Sequence, residues 1–174
     1  MTLGSLFDGI AGFPLAARRH GIKTLWVSEI EPDCMDIAKR HFPEALQLGD
    51  ITEIDGGKIP VVDIISFGSP CQDLSVAGKQ AGIEGSRSGL FMEAVRITRE
   101  MRLKTNGKYP KYIIWENVAG AFSSNKGEDF RRVLEEITQS NIPMPKSGKW
   151  GNAGMVGIAR AGGGGSSVYS MENV

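Results

Sequence analysis

Apolar residues in this chain fall into short dense runs, separated by stretches in which they recur every three to four positions. The runs Thr2–Phe7, Lys23–Ser28, Val62–Gly68 and Tyr112–Glu116 are brief, rich in Ile, Val and aromatics, and bounded by Gly or Pro. That pattern predicts strands buried on both faces. A weaker run, Ala45–Leu48, predicts one more strand. Phe13–His20, Asp33–His41, Leu90–Leu103 and Asp129–Ser140 carry the spacing of amphipathic helices. Strands alternating with helices predict an α/β fold built on a doubly wound parallel sheet. Ligands of such sheets lie beyond the carboxyl ends of the strands, so the residues that follow each strand are the candidates for chemistry. The alternation stops after Ser140. Pro143-Met-Pro-Lys-Ser-Gly-Lys-Trp150 is turn-like and Ala161-Gly-Gly-Gly-Gly-Ser-Ser167 is linker-like. The expected organisation is a domain over residues 1–140 and an irregular Gly/Ser-rich tail over 141–174.

Composition narrows the class. A chain of 174 residues with 41% hydrophobic content can bury one sizeable core, and one main domain is the starting expectation. Lys plus Arg and Asp plus Glu number 20 each, so no basic excess points to a nucleic-acid partner. Cys34 and Cys71 lie far apart with only His20 and His41 for company, which gives neither a disulfide framework nor a zinc spacing. No metal is expected, and a reducing setting fits. Met1 leads into no basic-then-apolar leader and no run reaches membrane-spanning length, so the expected location is cytoplasmic.

The strand ends hold the unusual residues. The first runs into Phe7-Asp-Gly-Ile-Ala-Gly-Phe13, where glycines permit a tight turn and close approach of a ligand to the backbone. The same turn is also plain fold punctuation, so this signal is weak by itself. The second strand ends at Glu29, about 20 residues on, the separation at which an acidic residue grips ribose hydroxyls. Asp50, after the third apolar run, is placed to accept from an adenine amino group. The bland reading of both is a solvated carboxylate. The fourth strand delivers Gly68-Ser-Pro-Cys71-Gln72 to the same rim, where an exposed thiol can act as a nucleophile. Cys34, on a helical pattern, reads instead as a small buried hydrophobe. Residues Gln72 to Gly89 hold Gly78, Gly82, Gly85 and Gly89, which suits either a lid or a plain surface loop. The fifth strand ends in Glu116-Asn117-Val118, a carboxyl and an amide on the same rim. Near an apolar wall Glu116 is a candidate hydrogen-bond donor, and its meaning depends on Cys71 being its neighbour.

Together, Phe7-Asp-Gly-Ile-Ala-Gly-Phe13, Glu29, Gly49-Asp-Ile51, Gly68-Ser-Pro-Cys-Gln72 and Glu116-Asn-Val118 resemble, in order and spacing, the motifs of DNA cytosine-5 methyltransferases. The resemblance covers about the first 140 residues, and Gly78-Lys-Gln80 with Ser86-Arg-Ser-Gly-Leu-Phe91 is similar to that family's catalytic loop. It implies a Rossmann-like methyltransferase fold, incomplete at the C-terminal end, that uses S-adenosylmethionine. Phe7 would pack on the adenine, Glu29 hold the ribose, Asp50 and Ile51 border the adenine, and Leu90 line the same pocket. Asp8, Gly9, Gly12, Ile30 and Pro70 would complete the cofactor site. Cys71 would be the nucleophile toward a cytosine flipped out of the duplex. Glu116 would bond its ring nitrogen, and Asn117 would hold the Pro70-Cys71 segment. Gln72, Ser75, Lys79 and Arg87 would meet the DNA.

Family members continue into a Gln-Arg-Arg-type motif, a target-recognition region and closing segments, none of which is visible in these 174 residues. Three readings stay open. The chain is one part of a split or longer enzyme needing a second chain, a non-catalytic remnant, or a nucleotide-binding oxidoreductase fragment of the same fold class. The last gives Cys71 and Glu116 no role. A restriction-modification system or a phage is a plausible setting.

Overall fold

The computed structural model describes residues 1–68, 89–151, 154–156 and 168–170. These divide into two compact units, one of residues 1–68 and 90–116, the other holding the residues from 117 on.

The first unit is a five-stranded parallel sheet. β1 (Thr2–Leu6), β2 (Lys23–Ser28), β3 (Leu46–Gln47), β4 (Ile64–Phe67) and β5 (Tyr112–Trp115) lie in the order β3-β2-β1-β4-β5. All five expected strands are present, and the run beginning at Val62 enters the ladder only at Ile64. The chain builds outward from β1 through β2 to β3, then returns to place β4 on the other side of β1. The order therefore reverses between β1 and β4, which is where a doubly wound sheet opens a crevice for a ligand.

Three helices cover this sheet: α1 (Gly12–Arg19), α2 (Pro32–His41) and α3 (Gly89–Lys104). α2 starts with Pro32 in its first turn, where no N–H is required, and Lys39, Arg40 and His41 fill its last turn beside the negative end of the helix dipole. Alternate side chains of a strand point to opposite faces. On one face Leu3 and Ile64 pack with Ala17 of α1, and Val27 with Ala38 and Phe42. On the other, Phe91 of α3 meets Phe67 and Trp115 at centroid distances of 6.2 and 6.3 Å. Trp26 is fully buried and donates its indole N–H to the Pro60 carbonyl at 2.9 Å. Its ring occupies the space a side chain at residue 4 would need: a Cβ on Gly4 would lie 2.0 Å from Trp26 Cζ2. No described helix is long and apolar enough to cross a membrane.

The second unit carries two 3-10 turns, Ala119–Phe122 and Ser124–Gly127, and α4 (Glu128–Thr138). Asp129 is buried at the start of α4 and accepts from Ser124 Oγ at 2.6 Å. Phe130 stacks edge-on between Phe122 and Trp150, at 4.7 and 5.2 Å. Trp150 donates its indole N–H to the Gly127 carbonyl at 2.8 Å. α4 ends two residues earlier than expected because Gln139 takes a left-handed conformation, φ 54°. The sequence reading of residues from Asn141 onward as irregular needs one correction. β6 (Gly154–Val156) pairs antiparallel with β7 (Val168–Ser170). Val156, Val168 and Tyr169 are strand formers, but three-residue runs beside a Gly/Ser-rich stretch are too short to register as a pattern.

Candidate functional site

All the described carboxyl ends of the sheet belong to the first unit, and the turn after β1 dominates the rim. Phe7, Gly9 and Ala11 adopt left-handed backbone conformations at φ 52°, 54° and 69°. Only Gly does so without strain, and non-glycine residues held this way are typical of ligand-binding turns. The turn is pinned by Asp8 N–H donating to the Ser28 carbonyl at 3.1 Å and Ala11 N–H to the Asp8 carbonyl at 3.1 Å. It brings the Gly9 N–H to within 2.7 Å of Glu29 Oε2. Glu29 Oε1 accepts from the N–H groups of Ile30 and Glu31 at 2.8 and 3.1 Å. Three backbone donors thus fix the carboxylate that follows β2, leaving one lone-pair site, on Oε2, for a hydroxyl donor. Ile30 is exposed beside it.

Asp8 behaves differently from a rim carboxylate. It is buried, its Oδ1 accepts from Ser5 Oγ at 2.5 Å, and its Oδ2 has no partner among the described residues. Ser66 Oγ on β4 reaches Ser5 Oγ at 3.4 Å, so the polar cluster bridges the two strands between which the order reverses. Burial pushes the Asp8 carboxyl up to about 6; the Ser5 hydrogen bond opposes that rise and the charge of Glu29 adds to it.

Beyond β3, Ser28 Oγ donates to the Gly49 carbonyl at 2.8 Å. Asp50 Oδ1 accepts from Thr52 N–H at 2.9 Å and Thr52 Oγ1 at 2.8 Å, capping the 3-10 turn Ile51–Glu53. Those bonds, the backbone one first, hold its carboxyl below the usual range. Asp50 stands exposed at the rim, whereas the Ile51 side chain is buried. Leu90, in the first turn of α3, is half-buried. Gly12 opens α1 and faces open space.

At the ends of β4 and β5, Glu116 N–H donates to the Phe67 carbonyl at 3.0 Å. The Glu116 carboxylate lies over the Gly68 backbone, so near that a Cβ on Gly68 would sit 2.8 Å from Glu116 Oε2. Among the described residues, Glu116 is exposed. Asn117 Oδ1 accepts from Val118 N–H at 2.8 Å. Pro70, Cys71, Gln72, Ser75, Lys79 and Arg87 lie outside the described residues. Cys34, expected to be buried, is half-buried near the start of α2. Burial and then the charges of Glu29, Glu31 and Asp33 push its thiol up, which disfavours the thiolate a nucleophile needs.

The described rim suits a nucleoside-bearing ligand. A half-buried aromatic follows β1, a pre-fixed carboxylate follows β2, and an exposed carboxylate follows β3. The Ser5–Asp8–Ser66 cluster was not legible in the sequence, since isolated serines in strands carry no signal until a register aligns them.

Residues 1–141 match the family described as C-5 cytosine-specific DNA methylase. Type II methyltransferase M.NlaIV of Neisseria lactamica is 34% identical over 139 residues, covering 76% of this chain and 31% of that protein. A protein of Escherichia phage P1 named DNA N-6-adenine-methyltransferase is 32% identical over 160 residues, covering 86% of this chain and 21% of its own. Among solved structures, the S. pombe Dnmt2 methyltransferase shares the fold with a TM-score of 0.58 at 21% identity, covering 78% of this chain and 41% of that one. The chain spans about a third of the length of the curated relatives it matches.

Proposed function

Because this chain belongs to the C-5 cytosine-specific DNA methylase family, we propose that it carries the cofactor-binding and nucleophile-bearing part of an enzyme that methylates carbon 5 of cytosine in duplex DNA. The observation that carries this reading is the Glu116 carboxylate over Gly68, the residue from which Ser69, Pro70 and Cys71 continue. A carboxyl over the backbone that leads in sequence to a cysteine offers the two kinds of group that addition to a pyrimidine ring requires.

In this mechanism the target base is flipped out of the stack, because its ring carbons are unreachable inside it. The Cys71 thiolate forms a bond to carbon 6, and the displaced electron pair makes carbon 5 nucleophilic. Glu116 hydrogen-bonds the ring nitrogen and stabilises the charge that develops there. S-adenosylmethionine supplies an electrophilic methyl group on a sulfonium. Carbon 5 would accept that methyl as the sulfonium's bond to it breaks and leaves a neutral thioether; loss of the carbon-5 proton to a solvent base would then expel the Cys71 thiolate from carbon 6. Phe7 would stack on the adenine, Glu29 would accept from the ribose, and Asp50 would face the adenine edge. Asn117 steadies Pro70-Cys71, and Gln72, Ser75, Lys79 and Arg87 contact the DNA.

The relatives' greater length supports a further element of this reading. Choice of a DNA sequence, and closure over the flipped base, come from a segment outside these residues, on a second chain or a longer one. A type II restriction-modification or phage setting fits the names of the relatives.

The test is transfer of a labelled methyl group from S-adenosylmethionine to duplex DNA, by the chain alone and with the products of neighbouring reading frames. Digestion to nucleosides identifies the base that carries the label. The expected product is 5-methylcytosine, absent in Cys71→Ser. Label on N6 of adenine overturns the base assignment. A folded chain that neither binds S-adenosylmethionine nor supports transfer with any partner is an inactive remnant.

A further inference from the structure

Arg96 and Glu100 occupy the middle of α3, a helix whose apolar positions pack on the sheet. Their charged groups turn toward the segment that follows Asp50. Arg96 Nη2 donates to the Ile51 carbonyl at 3.1 Å and Nη1 to the Ile54 carbonyl at 2.7 Å. The other guanidinium contacts hold the fork in place: Nε to Glu93 Oε2 at 2.7 Å, and Nη1 to both Glu100 oxygens at 3.0 Å. Glu100 Oε2 then accepts from Gly56 N–H at 2.7 Å. Gly56 approaches α3 so closely that a Cβ there would lie 2.3 Å from the Ile97 carbonyl oxygen.

One helix face thus holds residues 51, 54 and 56 at once. A three-residue 3-10 turn is held by few internal bonds, here Ile54 N–H to the Ile51 carbonyl at 3.3 Å, so outside donors to its carbonyls firm its shape. Arg96 supplies them through a planar fork that a lysine cannot reproduce, in a partly buried setting where charge-assisted bonds are strong. Partly buried ion networks are poor sources of net stability but good sources of fixed geometry. What they fix here is the turn that Asp50 caps by accepting from Thr52 N–H.

We infer that Arg96 and Glu100 are positioning residues for the cofactor: by clamping residues 51–56 they hold Asp50 where the adenine of S-adenosylmethionine rests. This rests on the reading of the rim given above. Neither residue touches the cofactor; both act through the clamped turn.

The test is calorimetric titration of the full chain with S-adenosylmethionine, beside hydrogen exchange of the amides of residues 52–57, for wild type, Arg96→Met, Arg96→Lys and Glu100→Gln. The expected result for Arg96→Met is a Kd raised about ten-fold with stoichiometry near one, since loss of pre-organisation weakens binding without removing sites. Arg96→Lys and Glu100→Gln should fall between it and wild type, with amide exchange accelerating in the same order. Should Arg96→Met fail to fold, the two milder variants carry the comparison. A fall in stoichiometry at unchanged Kd marks a merely structural role and overturns the inference. So does faster exchange with unchanged Kd. A folded wild type that binds no S-adenosylmethionine, alone or with the partner products tested for transfer, overturns the parent reading and this inference together, and is recognised because the wild type itself fails.

Discussion

Asp8 is the residue whose surroundings are least like those of its neighbours on the rim. A carboxyl raised to about 6 by burial binds its proton more tightly in the folded chain than in the unfolded one. Its contribution to stability is therefore fully present below the unfolded value, about 4, and is lost as pH rises through the folded value. Across that window the loss is on the order of 3 kcal/mol. Asp50, Asp55 and Asp63 have lowered values and act in the opposite sense, losing stability as pH falls. The raw stability profile mixes both. The difference between wild type and Asp8→Asn isolates the one: Asn keeps an acceptor for Ser5 Oγ but cannot ionise. Urea midpoints measured from pH 4 to pH 7 should show wild type losing ground steadily to Asp8→Asn as pH rises. A gap that stays constant over that range would mean Asp8 does not titrate there. Burial is the physical source of the effect, because taking a carboxylate out of water disfavours its charged form.

At the scale of elements, a glycine within β1 and one just after β4 separate packing from chemistry. Gly4 faces a Trp26 ring that is fully buried and pinned through its indole N–H, so Gly4→Ala forces a rigid neighbour to move and should cost about 1–3 kcal/mol or more. Gly68 faces the far end of a flexible carboxylate, so Gly68→Ala should cost under about 1 kcal/mol in urea unfolding. It should nonetheless displace Glu116 and lower formation of the stable adduct with a 5-fluorocytosine duplex by about ten-fold or more, judged from the cost of misplaced catalytic groups. That adduct is read in whichever preparation carries methyl transfer. Equal losses of stability and adduct in the Gly68 variant would reduce Glu116 to a packing residue. The five strands of the parallel sheet and the four α-helices were legible because each is a short apolar run or a clean three-to-four pattern, down to β3 with only two paired residues. Glu29 was legible through its distance from Gly9, and the hydrogen bond between them is the physical content of that distance. The Arg96 clamp was not. Along α3, Glu93, Arg96 and Glu100 read as pairs within one helix, and only the fold reveals that the guanidinium also reaches two carbonyls of another segment.

For the whole molecule, the balance of charge bears most on how DNA would be held. Lys plus Arg equals Asp plus Glu at 20 each, and several of those cations are engaged within the chain: Lys58 with Asp55, Lys111 with Asp63, Arg96 with Glu93 and Glu100, Arg131 with Glu128 and Glu135. Phosphate affinity comes from releasing counterions, and each phosphate neutralised adds about 0.9 to the slope of log affinity against log salt. If Lys79 and Arg87 are the cations offered to the backbone, the slope for duplex DNA should be about −2. Affinity should then be weak and nearly indifferent to sequence, because two phosphate contacts position a protein without reading bases. Fluorescence anisotropy of a labelled duplex, titrated with the chain at several salt concentrations and saturating S-adenosylmethionine, measures that slope. Adding the partner or longer segment should steepen it and introduce a sequence preference at once, because both come from the same missing contacts. A slope of about −6 for the chain alone would reveal a basic face that these residues already possess, and the need for a second segment to hold DNA would fall with it.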